Sequence, residues 1–577
     1  MRRFSDSRSL LSLLMVAALC SPLACAPTPS GSSADITSLL TAAESSNFEE
    51  TTRYADVVEL MEAFDASSDR MHMTTFGYTY EGRALPMMVV GDVADASPAA
   101  VLGSGKTRVW IQGGIHSAEA CGKEAMLIML RDLALGEHAE WDDSLVLLIA
   151  PLYNADGNEL VKMDNRGSQN GPVAGMGQRP NAQGYDLNRD HMKLDAPEAR
   201  SLVQMMNNYD PHVAVDLHTT NGTRHAYYVT YSPPLHPNTY DQIDEMLRGD
   251  WLPTVTQSIK DKHGWDYYYY GNAGFGVGGG GRRGGRGGGG DARGAGGRRE
   301  ATAGGRGDSG DGRGQGMQAW WTFDYRPRFN NNYVGLRNRF AILSEAYAYA
   351  TFQDRVMASL WFVEEILNYA ATNGDAIREI VAAADEHSVV GEDLAVRAAF
   401  VPSEEPVEIL MGETEPVLNP YSGRTITQRL DVVNPVMMLE AGTAQPTETE
   451  TVPAAYFIPA NEQAALIKLE LHGVMMEPLG EEMTIQAEQF VIESSTEAER
   501  PFQGHNERTL EGSWEPTEVT LPADTIVVLV EQPLGRLAFS LLEPRSDDGL
   551  TNWNVFDRSL ANADVFPVLR TSQEFRR

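Results

Sequence analysis

Four runs of the chain are apolar almost throughout: RVWIQGG at 108–114, SLVLLIAPL at 144–152, HVAVDLHTT at 212–220 and RFAILSEAY at 339–347. A strand with one face in water alternates polar and apolar side chains, so these runs predict strands covered on both faces. Helical periodicity appears between them. Upstream, YADVVELMEAFDASS places Val57, Leu60, Met61 and Phe64 on one helical face. Two more strands are predicted in MHMTTFGYTY and ALPMMVVGD, on either side of the turn-like EGR. Strands covered on both faces need helices above and below, so the expected fold is α/β, a mixed, largely parallel central sheet flanked by helices.

The ends of these runs carry reactive side chains. The first breaks on Gly113-Gly114 and presents His116 and Glu119; the third delivers His218 and the fourth Glu345. In open α/β sheets ligands bind outside the carboxyl ends of the strands, so residues distant in sequence can meet there. Two imidazoles and a carboxylate suit a catalytic zinc that keeps a fourth position open. Such a site also needs a carboxylate as general base, and Glu345 has the type and the place for it. Taken singly, each histidine is as well explained as a hydrogen-bonded structural residue, and Glu119 as a charge at a helix start. Their joint placement favours the metal.

The rest of the chain sets the context. A length of 577 residues exceeds one ordinary domain. The formal charge of −34 disfavours binding to nucleic-acid phosphate. Residues 1–25 read as an export signal: Arg2, Arg3 and Arg8, then apolar Leu10–Leu19, then small residues up to Cys25. Leu-Ala-Cys resembles a lipoprotein cleavage site, which would make Cys25 a lipidated membrane tether; Pro22 leaves ordinary cleavage open. A periplasmic or extracellular location follows as an expectation. Residues 26–47 read as a linker and 48–380 as the catalytic unit. That unit is interrupted over 271–316 by a Gly/Arg-rich insertion, read as disordered, with eight arginines against four acidic residues between Arg282 and Arg313. Residues 385–577, rich in Val, Pro, Thr and Glu, predict a β-rich accessory domain in which His472 and His505 read as structural or surface histidines. With only Cys20, Cys25 and Cys121 present, no intramolecular disulfide framework is possible, and Cys121 is read as a buried thiol.

Ordered motifs give the pattern a family likeness. His-Ser-Ala-Glu at 116–119 resembles the His-x-x-Glu zinc motif of the zinc metallocarboxypeptidases, the carboxypeptidase A-like peptidases. YEGRAL resembles the lead-in to their metal-bearing strand, and YNADGNE their Asn-Pro-Asp-Gly segment with Ala155 in place of proline. YDLNRD, DLHTTNG and RFAILSEAY follow in the family's order, so the likeness covers about residues 50–370 apart from the insertion. It implies an enzyme with one Zn2+ held by His116, Glu119 and His218, a ligand set already known for carboxypeptidase A. Glu345 would take a proton from the attacking water and return it to the leaving amine. Asn188 and Arg189 would grip the substrate's terminal carboxylate, and Asp186 would orient His116. Arg166 is the positional candidate for polarising the scissile carbonyl, with Arg179 competing. Tyr333 is the candidate substrate-contacting tyrosine, against Tyr325 and Tyr267–Tyr270. The implied substrates are peptide or protein C-termini, and no partner protein is inferred. A zinc deacylase of N-acyl amino acids and a non-catalytic surface-binding module are the rival readings.

Overall fold

The computed structural model describes residues 36–220, 222–275 and 317–575. The signal, Cys25, the first part of the linker and residues 276–316 of the insertion lie outside the described residues. The central sheet is built from β1 (Met71–Tyr78), β2 (Ala84–Val90), β3 (Thr107–Gly113), β4 (Leu145–Ala150), β5 (Val213–Thr220), β6 (Val229–Ser232) and β7 (Tyr267–Tyr269). A short hairpin follows, β8 (Asn272–Phe275) and β9 (Gln318–Trp321), and β10 (Phe340–Tyr347) then returns to the sheet. The strand order is β1-β2-β4-β3-β5-β10-β6-β7. β3 runs parallel to β4 and β5, β5 to β10, and β6 to β7; the other pairs are antiparallel.

Every residue of β3, β4 and β5 is buried, as their unbroken apolar runs require. Helices Tyr54–Asp65, Cys121–Ala134 and Phe352–Thr372 pack on one another and on the sheet, the first burying Val57, Leu60, Met61 and Phe64. Helix Pro197–Tyr209 packs on β1 and against Gln463–His472 of the C-terminal region.

The boundaries drawn from composition shift in two places. Part of the stretch read as linker is helical: Thr41 caps helix Ala42–Ser45 in a reciprocal capping box with Glu44. Both Glu44 oxygens also take bonds from Arg131, at 2.7 Å each. The insertion's first residues are likewise not loop, because β8 pairs in register with β9 from Asn272↔Trp321 to Phe275↔Gln318. Gly and Asn are weak strand formers, but a paired ladder satisfies their backbone groups.

The C-terminal region is β-rich, as expected, and continues the same core. β11 (Asp393–Val401), β12 (Pro406–Leu418), β13 (Thr425–Ala441) and β14 (Thr443–Thr451) come first. β13 pairs in parallel with β9, giving a four-stranded sheet β12-β13-β9-β8 that joins the two regions. A six-stranded sheet follows, and one buried apolar cluster runs from Val57 and Trp110 to Tyr456, Phe490 and Trp553. Charged ties reinforce the junction: Arg328 donates to Asp548 at 2.7 Å and to Glu507 at 2.6 Å.

Candidate metal centre

The turn after β3 is shaped by two glycines for different reasons. A Cβ on Gly113 would lie 2.8 Å from the Pro151 carbonyl and 2.9 Å from the Lys123 nitrogen, so a side chain there does not fit. Gly114 has φ +69°, a left-handed conformation that glycine adopts without strain. The chain thus leaves the sheet abruptly, and a turn closed by the Glu119 N–H on the His116 carbonyl (2.8 Å) sets both side chains over the strand ends.

His218 and Glu345 reach the same place from neighbouring strands. β5 and β10 are parallel with His218 opposite Glu345, so the two side chains share one face of the sheet. Ligand atoms of His116, Glu119 and His218 lie within 4.8 Å of one another, and all three residues are buried. His116 Nδ1 sits 3.2 Å from Glu119 Oε1 and His218 Nδ1 3.0 Å from Glu119 Oε2. Among the described residues, His116 Nδ1 and Glu345 Oε2 have no hydrogen-bond partner. An unpartnered imidazole nitrogen beside two further ligand side chains in a buried pocket fits a bound cation, since buried polar atoms are otherwise paired.

The outer nitrogens of both histidines are held by carboxylates. His116 Nε2 lies 2.9 Å from Asp186 Oδ1 and His218 Nε2 2.8 Å from Asp216 Oδ2. Each pairing fixes the ring with Nδ1 towards the site and makes that nitrogen a better ligand. Asp216 was missed in the sequence, although a period of two places it on the same strand face as His218. Asp186 also accepts from the Asn188 N–H at 3.0 Å and from Arg179 Nε and Nη2 at 3.0 and 2.9 Å.

The electrostatics split the two carboxylates of the pocket. Burial opposes ionisation of Glu119, yet the charges of His116 and Arg166 hold it well below the usual carboxylate range. Burial pushes the Glu345 carboxyl up to about 7, and the Glu119 charge adds to the rise. The surroundings thus push the two carboxylates in opposite directions, Glu119 towards its anion and Glu345 towards its protonated form.

Both competing arginines reach the pocket. Arg166 donates to Glu119 Oε1 and to the Thr219 carbonyl, each at 2.7 Å, while Arg179 Nη1 is 3.4 Å from Glu119 Oε1. Asn188 Nδ2 approaches His218 Nε2 at 3.3 Å, and Arg189 stacks on Phe329 at 3.8 Å from the ring centre. Arg189 Nη1 donates to the Asn188 carbonyl at 2.6 Å, and among the described residues no carboxylate lies within salt-bridge distance of the guanidinium.

The structure does not bring Tyr333 to the pocket. Tyr333 is fully buried in helix Asn330–Leu336, its hydroxyl 2.8 Å from His472 Nδ1 and within 3.2 Å of Arg337 Nη1. It faces the C-terminal region and is absent from the pocket lining. Tyr325 bonds Asp547 at 2.6 Å. Of the rival tyrosines Tyr270 lines the pocket, in edge contact with Phe323 at 5.5 Å. Phe323 and Phe329, also missed, form the aromatic wall, with Leu343 and Thr220 on the sheet side. Cys121 is buried, its Sγ 3.0 Å from Thr219 Oγ1, and is not one of the three donors.

Residues 57–275, which carry the three donors and the Asp186–Arg189 segment, match the zinc carboxypeptidase family. That span is a zinc carboxypeptidase domain. Carboxypeptidase 2 of Trichophyton tonsurans is 24% identical over 507 residues, covering 85% of this chain and 81% of the relative. Carboxypeptidase 2 of Trichophyton rubrum is 23% identical over the same span and shares. The metallo-carboxypeptidase of Burkholderia cenocepacia aligns in structure with a TM-score of 0.36 and 14% identity, over 55% of this chain and 69% of that one. The matched span supplies β1 to β7 of the α/β unit, and the candidate centre of this peptide hydrolase lies at the carboxyl ends of β3, β5 and β10.

Proposed function

We propose that the protein removes residues from the free C-termini of peptides, using one zinc ion held by His116, Glu119 and His218. The observation that carries this reading is the convergence of three buried ligand atoms within 4.8 Å beside an unpartnered glutamate oxygen. Zinc, when bound, supplies a Lewis acid that makes water nucleophilic near neutral pH.

The remaining roles belong to the chain. Glu345 takes the proton of the attacking water at its free carboxylate oxygen. As the new C–O bond forms and the peptide C–N bond breaks, it passes that proton to the departing amine. Arg166 stabilises the charge that develops on the scissile carbonyl oxygen, with Arg179 beside it. Arg189 pairs the substrate's terminal carboxylate through both its N–H groups, and Asn188 adds a neutral donor. Tyr270 takes the place of Tyr333 as the substrate-contacting tyrosine. The basic, apolar and small N-terminal pattern supports export and a lipid tether at Cys25.

Glu345→Gln keeps the shape of the site and removes the base. The variant is expected to retain one zinc per chain by metal analysis and to lose about 10²- to 10⁴-fold in kcat. A variant that turns over at close to the unaltered rate would refute the mechanism.

A further inference from the structure

We infer that a turn of the C-terminal region, Phe502–His505, is part of the metal centre's supporting structure, with Gln503 a positioning residue that acts through Asp186. The inference rests on the zinc site described above and extends it beyond residues 57–275, the span that matches the family.

The connection is direct. Gln503 Oε1 accepts the backbone N–H of Asp186 at 2.8 Å, across 317 residues of sequence. The carboxylate of Asp186 in turn meets His116 Nε2, the Asn188 N–H and Arg179. Displacing the Asp186 backbone therefore shifts a metal-ligand histidine, the carboxylate-binding segment and a pocket arginine together. No other partner of that N–H appears among the described residues.

The turn is built to hold Gln503 in place. Phe502 and His505 form a paired bridge, with their N–H groups and carbonyls exchanged at 2.7 and 3.0 Å. His505 Nε2 lies 2.7 Å from Asp195 Oδ2, which also takes a bond from Lys468 through Oδ1. Phe502 stacks with Trp553, and Arg328 lies over both rings. Gln503 itself has φ +51°, a left-handed conformation that costs energy for any residue but glycine. Glycine would suit such a backbone better, yet it has no side chain to reach Asp186. A strained residue kept where its side chain touches a ligand's partner points to function at that side chain.

That strain supplies the test. Gln503→Gly relaxes the backbone and deletes the acceptor; Gln503→Met keeps the length and bulk and deletes only the acceptor. The full-length variants are titrated with zinc against a competing chelator, and their thermal midpoints are recorded without metal. Loss of a direct partner of a metal ligand typically weakens metal affinity about 10- to 100-fold; Gln503 acts one partner further out, so a fall of about 3- to 10-fold is expected in both variants. The metal-free midpoint of Gln503→Gly is expected to be unchanged or higher. Asn562→Gly, at an exposed left-handed turn with φ 63° in the same region, is expected to bind zinc with unaltered affinity. Unaltered zinc affinity in either Gln503 variant would overturn the inference while leaving the zinc site intact. Absence of zinc binding by the unaltered protein would overturn the site itself, and this inference with it.

Discussion

Arg189→Met is the substitution whose effect follows most directly from the geometry. The Arg189 Cζ lies over Phe329 at 3.8 Å from the ring centre, its Nη1 donates to the Asn188 carbonyl at 2.6 Å, and no carboxylate among the described residues lies within ion-pair distance of it. Burial lowers its pKa, as expected of a guanidinium short of a counter-ion, although the neighbouring Asp186 charge opposes the fall. Methionine keeps an apolar stem against the ring and removes the fork. A charge-assisted hydrogen bond contributes about 1.5–3 kcal/mol, so losing a two-pronged contact with a carboxylate removes roughly 3–4 kcal/mol once partial re-solvation is allowed. At about 1.4 kcal/mol per tenfold, kcat/KM on a free-acid peptide falls about 10²- to 10³-fold. The same peptide with an amidated C-terminus offers no carboxylate, so the unaltered enzyme prefers the acid by a similar factor and the variant loses the preference. Arg189→Lys keeps a point charge without the fork and falls between the two. The assay is kcat/KM for the acid and amide peptides on all three proteins. A fall below about threefold on the acid, or an unchanged acid-to-amide ratio, would refute the carboxylate-clamp role.

Two further outcomes separate structural from functional side chains. Tyr333→Phe should lower stability by about 1 kcal/mol, by losing its bond with His472, and leave kcat/KM unchanged, whereas Tyr270→Phe should lower kcat/KM about tenfold, with a stability loss of similar size from its bond with Asn272; a fall in kcat/KM for Tyr333→Phe with none for Tyr270→Phe would restore Tyr333 to the site. Burial holds His212, His225, His236 and His472 down to about 3 and His191 to about 4. The folded state therefore keeps these imidazoles neutral while the unfolded chain protonates below about 6.5, so their stability is present above that pH and is lost on acidification. By linkage each removes up to about 2 kcal/mol between pH 7.5 and 5, and the thermal midpoint of the chelated protein should fall steeply over that window; a flat or rising midpoint would contradict their burial as neutral groups.

Much of the fold is readable because its signals are local. Unbroken apolar runs mark strands covered on both faces, and the break at Gly113-Gly114 marks where β3 gives way to the metal loop. His116, Glu119, His218 and Glu345 were found because each sits where an apolar run ends. The capping box of Thr41 and Glu44 was equally local, but Ser/Thr-rich composition masked it. Tyr333 illustrates the opposite case. Its partner His472 lies 139 residues away in another sheet's neighbourhood, and spacing cannot show which way a buried tyrosine turns. In the YYYY segment, Tyr267 is buried with its hydroxyl on the Ala358 carbonyl, while Tyr270 follows the last residue of β7 and lines the pocket. Gln503 leaves no local trace, because its importance lies in one contact with Asp186.

The central claim is that this chain removes C-terminal residues by means of the His116, Glu119 and His218 metal centre. The direct measurement is mass spectrometry of unblocked peptides incubated with the full-length protein, before chelation, after chelation and after zinc is returned. The account predicts loss of single residues from the C-terminus only, abolished by the chelator, restored by zinc, and faster than hydrolysis of N-acyl amino acids. Cleavage within the peptides, activity indifferent to chelation, or a preference for N-acyl amino acids would contradict it.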